Sequence, residues 1–428
     1  MVFSRRNFLK GSALTAAGLS AGLLGACGGG TSTAASSAAP QPTAAPTATP
    51  TPTPTPEPPY NADVLTGEER AADAADSRII GIMINNISNN SYQNARPQRG
   101  LSSAKMLMEI MVEGGITRMC ALFDDVSAIP EIGPVRSGRD QFLQLLIPWQ
   151  ALYYHIGESV FCTRFIKDWQ YSDLNIGGMS YFDTPTHQTV FHRDSRGRKV
   201  ATEHTAFTSG EEVQKAIDKA GIDMARTYTS TFFKFADYRY QESNALDGCE
   251  SATSVTIRHS LSYRTYFTYD EASATYKMSQ YSAADKAVSA TCDELNGEQL
   301  AFANLVVLFT TIKAYPGDSH DIQSVDYTVG GVGYYFTNGR VRTMYWRKGS
   351  PGDCLAIYDP TTPNEDLIVV NRGKTYLTVV SLDEAANFNY TGSDAAASSD
   401  DLTGADSAAS TLDDADGSES AAASISTN

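Results

Sequence analysis

Two short stretches concentrate the side chains that could do chemistry. The first is Ile132-Gly133-Pro134-Val135-Arg136-Ser137-Gly138-Arg139, followed by a helical pattern from Asp140 to Trp149, with Ser137 as the expected N-cap. Guanidinium forks beside a helix start seek oxygens, so Arg136 and Arg139 are candidate anion ligands. The second is His192-Arg193-Asp194-Ser195-Arg196-Gly197-Arg198-Lys199, with His204 shortly after. Its basic excess stands out in an acidic chain. Arg193, Arg196 and His204 read either as a solvated loop paired with core carboxylates or as an anion-binding surface. A third set comes from the apolar runs Met106 to Glu113 and Ile116 to Asp124, which flank Gly114-Gly115. A two-residue hairpin turn there would pair Met111 with Arg118 and Glu109 with Cys120, leaving Glu109, Glu113 and Arg118 on one face. That face fits a diagonal salt bridge satisfying Arg118, or an acidic pair lining a pocket.

Enzyme motifs fail on their companions. Ser102-Ser103-Ala104-Lys105 has the Ser-x-x-Lys spacing, but Lys374-Thr375 is followed by Tyr376, where a penicillin-binding protein needs Gly. Gly157-Glu158-Ser159-Val160-Phe161 lacks the final Gly of a nucleophile elbow, and neither a P-loop nor a His-Glu-x-x-His helix occurs. His187 and His192 have no ligand-spaced partner, so no metal and no cofactor are expected. No catalytic residue is assigned, and whether the chain is an enzyme stays open.

The elements that would position these residues lie between two low-complexity ends. Ser4-Arg5-Arg6-Asn7-Phe8-Leu9-Lys10 precedes an apolar run from Gly11 to Ala26 and resembles a twin-arginine signal through Arg5 and Arg6. Leu24-Gly25-Ala26-Cys27 looks like a lipobox, in which Cys27 takes a diacylglyceryl group and becomes the mature N-terminus. Residues 28–59 are almost all Gly, Ser, Thr, Ala and Pro, a disordered linker that at full polyproline extension reaches about 100 Å. Residues 391–428 carry seven Asp and one Glu with no Lys or Arg, half of the formal charge of −16, and read as a disordered acidic tail. The 33 Lys and Arg against 49 Asp and Glu exclude a basic nucleic-acid binder.

Between these ends the pattern changes from mixed to strand-rich. Residues 60–249 read as a mixed α/β, or α+β, N-terminal domain, from a buried strand at Arg78-Ile79-Ile80-Gly81-Ile82-Met83-Ile84-Asn85 onward. Residues 250–390 read as a mostly antiparallel β C-terminal domain, with Asn338-Gly339 as its clearest hairpin turn. With Cys27 lipidated, five cysteines are left, and Cys249 and Cys292, in polar segments, are the candidate disulfide.

Arg96-Pro97-Gln98-x-Gly100-Leu101, Glu113-Gly114-Gly115-Ile116-Thr117-Arg118, Ile132-Gly133-Pro134-Val135-Arg136-Ser137-x-Arg139 and His204-x-x-x-Thr208-Ser209 together resemble the YerB-like bacterial lipoproteins, whose two domains are of unknown function. The sequence departs from that pattern at Glu203-His204, where Pro is expected before His, and residues 282–299 read as an insertion. The resemblance implies a lipoprotein held to the cell membrane on its extracytoplasmic side through the N-terminal lipid. The expected partners are a cell-wall or envelope protein, or an anionic ligand. The competing expectation is an enzyme acting on a phosphate-bearing envelope glycopolymer, distantly like the LytR-type ligases, with the arginines as a charge clamp.

Overall fold

In the computed structural model, which describes residues 61–178, 187–240 and 243–392, the apolar run Ile80–Asn85 forms strand β1, with every residue buried. Arg5, Arg6, Cys27, the linker and nearly all of the acidic tail lie outside the described residues. Burial on both faces is what a strand needs when layers cover both sides of its sheet, and the neighbours of β1 supply that setting. It pairs antiparallel with β3 (Thr117–Phe123) on one side and parallel with β4 (Leu152–Tyr154) on the other. β4 pairs parallel with β5 (Asn175–Gly178).

β2 (Met106–Met111) makes the expected hairpin with β3, but its register differs from the expected one by a single residue. Met111 pairs with Thr117, Ile110 with Arg118 and Glu109 with Met119. The tip is a three-residue turn, Glu113–Gly115, in which Gly114 and Gly115 both have positive φ, and Val112 N–H donates to Ile116 O. One extra residue in the turn sends alternate side chains to opposite faces. Glu109 is thereby separated from Arg118 and Glu113.

The free edge of β2 takes a strand from far along the chain: Thr375–Ser381 pairs with it in parallel, Met106 opposite Thr375, and also pairs in parallel with Asn304–Thr310. The sheet continues through the hairpin Gly331–Thr337 and Arg340–Arg347, which turns at Asn338-Gly339 as expected. The result is a twelve-stranded sheet drawn from both halves of the sequence. The N-terminal half is mixed α/β with parallel strands, and the C-terminal half is mostly antiparallel. A six-stranded antiparallel sheet, centred on Ser254–Arg258, Arg264–Asp270 and Thr275–Ser282, contributes Val255, Ile257, Phe267, Tyr276 and Met278 to the core on one face. Helix α3 (Gly210–Ala220) packs into that core through Val213, Ala216 and Ile217.

Helices α1 (Asp140–Leu146) and α2 (Val160–Asp168) cover the opposite face through Phe142, Leu143, Leu146, Cys162 and Ile166. The N-cap of α1 is Arg139 rather than the expected Ser137, and no side chain caps it. Ser159 caps α2 by accepting from Cys162 N–H at 3.1 Å. Cys249 and Cys292 are both free thiols, contrary to the expected bridge. Arg342 donates to Cys249 Sγ at 3.3 Å, while Cys292 sits in a local bridge with Gln299.

Candidate anion-binding site

β1, β4 and β5 run parallel and end at one edge of the sheet, and β3 begins there because Asn85 pairs with Arg118. Ligands of open α/β sheets bind outside such carboxyl ends. The segment Pro134–Gly138 crosses this edge and is laced to it by backbone bonds. Asn85 N–H donates to Pro134 O at 2.8 Å, Arg136 N–H to Met83 O at 3.0 Å, and Gly138 N–H to Gly157 O at 2.9 Å. Tyr153 OH also accepts from Arg139 N–H at 2.9 Å.

The ring of His155 fills the space beneath that segment. A Cβ at Gly177 would lie 1.8 Å from its Cε1, so that position requires glycine, and one at Gly138 would lie 3.0 Å from the ring, a tight contact. His155 Nδ1 donates to Gly157 O at 2.7 Å, and Nε2 lies 2.9 Å from Asn175 Oδ1. Glu158, which accepts from Thr163 Oγ1 at 2.8 Å, stands 3.6 Å from the ring. Burial lowers the His155 pKa, against the opposing pull of Glu158. With Nδ1 bonded to Gly157 O and the ring packed against Gly138 and Gly177, it acts as a strut.

Directly above, Glu113 bridges two arginines. Arg139 Nε donates to Glu113 Oε2 at 2.8 Å and its Nη2 to Oε1, while Arg118 Nη2 donates to Oε1 at 2.6 Å and Nη1 to Ser137 O at 2.8 Å. All three residues are at most 6% exposed. Burial alone would raise the Glu113 carboxyl, but the guanidiniums of Arg118 and Arg139 override it and hold it well below the usual carboxylate range. Arg118 is pulled down by burial and by Arg139. The two arginines share one carboxylate, so the cluster carries a positive excess under the sheet edge.

The remaining candidates divide. Arg136 is half-buried, and after burial the groups that most influence it are Glu203, Arg139, Glu113 and Arg193. Arg193 is exposed; its Nη1 donates to Thr202 O at 2.5 Å, and its guanidinium lies over the Phe191 ring. His204 is buried between two amides: Nδ1 accepts from Asn85 Nδ2 at 2.9 Å and Nε2 donates to Gln93 Oε1 at 2.7 Å. Burial, reinforced by Arg136, Arg198 and Arg196 against Glu203, lowers its pKa to about 4, so it is neutral at physiological pH.

Arg196 faces another way. It donates to Ala95 O, Pro97 O and Glu294, lies over the Phe207 ring and is 2% exposed at its side chain, which makes it a staple between loops. The fold thus brings Arg136, Arg193 and His204 together, turns Arg139 inward with Arg118 and Glu113, and spends Arg196 on loop closure. Lys105 of the Ser-x-x-Lys motif is held by Asp63 and Asp124.

Glu109 lies on the other face, against the second sheet. It accepts from Asn86 Nδ2 at 3.0 Å, Thr117 Oγ1 at 2.7 Å, Thr265 Oγ1 at 3.0 Å and Tyr376 OH at 2.7 Å. Asn86 Oδ1 in turn accepts from Arg96 Nε and Gln98 Nε2, each at 2.9 Å. Sequence reasoning did not single out Asn85, Asn86, His155 or Tyr376. The polar pair closing the apolar run of β1 was the available signal for the two asparagines, whereas His155 and Tyr376 sit inside strand patterns that look like core.

Two family models match the chain in order: the N-terminal domain of a protein of unknown function, DUF3048, over residues 65–223, and the C-terminal domain of the same family over residues 255–377. The chain belongs to the DUF3048 family. A Bacillus subtilis (strain 168) relative named "Putative lipoprotein YerB" is 24% identical over 330 residues, 76% of this chain and 88% of that protein. The crystal structure of Bacillus subtilis YerB superposes with a TM-score of 0.61 at 21% identity, covering 77% of this chain and 99% of that one, so the two share a fold. The Glu109 network joins the two family domains, since Asn86 and Thr117 belong to the first and Thr265 and Tyr376 to the second. Among the described residues, no helix is long and apolar enough to cross a membrane.

Proposed function

We propose that this DUF3048 protein is a lipid-anchored, extracytoplasmic binding protein. Cys27 carries the anchor, and the edge beneath Arg136 and Arg193 receives an anionic group of an envelope component or a partner protein. The observation that supports the reading is backbone geometry: Arg193 pairs with Ala206, whose carbonyl accepts from Val135 N–H, so Arg193 and Arg136 flank one edge beside the buried Arg118–Glu113–Arg139 cluster. Electrostatic attraction by preplaced guanidiniums needs no proton transfer. At this edge the two candidates that could move a proton are unsuited to it near neutrality, because Glu113 stays ionised and His204 stays neutral, and Glu109 lies on the other face of the sheet. That favours binding over catalysis on a phosphate-bearing glycopolymer.

Calorimetric titration of the full chain in detergent with inorganic phosphate tests the site. Binding that weakens with salt and disappears in an Arg136→Gln/Arg193→Gln double variant is expected, and equal binding by that variant would sink the reading. Mass spectrometry of the peptide at Cys27 tests the anchor, an unmodified thiol being the contrary result.

A further inference from the structure

The sheet edge continues into an aromatic flank whose middle ring, Phe165, packs against the core and whose last ring, Trp169, stays open to solvent. Helix α2 starts immediately after Glu158 and Ser159, and Ser159 N–H donates to Gly138 O, so its first turn abuts the arginine segment. Cys162 and Ile166 form its buried face. Phe161, Phe165 and Trp169 follow at four-residue spacing along an adjacent, half-open face, with Trp169 38% exposed and Val160 59% exposed.

These rings are arranged in order. Phe161 stacks on Tyr315 with centroids 3.8 Å apart and planes within 5° of parallel, and Phe165 stacks on Trp169 at 6.0 Å. Tyr315 OH donates to Asp140 Oδ2 at 2.7 Å, which ties the flank to the residue following Arg139. The aromatic row therefore touches the arginine segment at two points, through Ser159 and through Tyr315. Arg164 and Lys167 are exposed on the same helix, with Arg164 over the Phe161 ring, against a single exposed acid, Asp168.

We propose that this flank is a sugar-binding track leading from the anion site, so that the ligand is an oligosaccharide bearing a phosphate or comparable anionic group. The inference rests on the anion-binding reading above and deepens it. A pyranose presents one face of C–H bonds that stacks on an aromatic ring, and its hydroxyls reach flanking polar groups. Trp169, the exposed ring of the row, offers that surface, and the arginines take the charge. A bilayer fits less well, because nine residues with only two exposed cations offer little surface for anionic lipid.

The three tryptophans make the test direct, since Trp149 is 5% exposed and Trp346 is 0% exposed, so quenching by iodide reports on Trp169. The full chain in detergent is titrated with an N-acetylglucosamine tetrasaccharide bearing one terminal phosphate, with its unphosphorylated parent, with inorganic phosphate, and with vesicles of phosphatidylglycerol and phosphatidylcholine. The phosphorylated tetrasaccharide should bind at least about tenfold more tightly than either the parent or phosphate and should shield Trp169 from iodide. Trp169→Ala should weaken the tetrasaccharide roughly fivefold, and Trp169→Phe, which keeps a ring, by less. Phosphate has no ring to stack and serves as the reference ligand. Equal affinity for phosphate and the phosphorylated tetrasaccharide, or shielding of Trp169 by vesicles alone, overturns the sugar track while leaving the anion site standing. Absence of any phosphate binding overturns the anion site itself. The quenching measurement on the unaltered protein decides the matter even if Trp169→Ala fails to fold.

Discussion

Glu109 and Glu113 stand four residues apart on the same hairpin, both buried, yet they are held by opposite kinds of partner. Glu109 is surrounded by neutral donors from four separate segments, Asn86, Thr117, Thr265 and Tyr376, and so fastens one family domain to the other. Glu113 is gripped by two guanidiniums and so anchors the charge of the candidate site. A carboxylate among neutral donors is a structural clasp. A carboxylate shared by two arginines leaves positive charge unspent, and that is what an anion can use.

Removing the charge at each position should show the difference. Glu113→Gln leaves Arg118 and Arg139 buried without a counter-charge and is expected to cost about 3–5 kcal/mol in chemical denaturation. A loss below 1 kcal/mol would mean that the cluster is solvated. Glu109→Gln turns an acceptor shell toward an amide and should cost about 3 kcal/mol, with a weaker dependence on salt than the Glu113 variant. If the two variants respond alike to salt, the contrast between them fails.

Acid should sharpen the comparison. The folded pKa of His204 is about 4, below its unfolded value near 6.5, so the unfolded state takes up protons first and stability declines as pH falls from 6.5 toward 4. His204→Gln should flatten that window by about 3 kcal/mol, as read from denaturation midpoints. Glu113, with its folded pKa depressed, contributes fully above about pH 4.5 and loses that contribution as pH falls further. The Glu113→Gln variant should therefore lose less stability below pH 4.5 than the parent. The smallest effect is expected from dithiothreitol. With Cys249 and Cys292 free, reduction should shift stability by less than about 0.5 kcal/mol, whereas a bridge would be worth about 2–4 kcal/mol.

How far the site was legible depended on the range of the interaction. Arg136 and Arg139 were visible as a basic pair before a helix, but their opposite fates depend on Glu113, which reaches Arg139 only after the hairpin closes against α1. Arg193, Arg196 and His204 were visible as a basic run, yet Arg196 is consumed by carbonyls near residue 96 and by Glu294, a partner 98 residues away. The hairpin was legible from its two glycines, whereas its register was not. A turn of two residues and one of three share the same flanking pattern, and the choice decides which face Glu109 occupies.

Periodicity and turn chemistry act over a few residues, so the sequence by itself determined that Ile80–Asn85 is a buried strand and that Asn338-Gly339 turns a hairpin. Only the tertiary structure decided that Thr375–Ser381 would enter between β2 and Asn304–Thr310, completing one sheet from both halves and delivering Tyr376 to Glu109. Nothing local specifies a parallel neighbour more than 250 residues away; it follows from burying the open edge of β2 and satisfying its backbone groups.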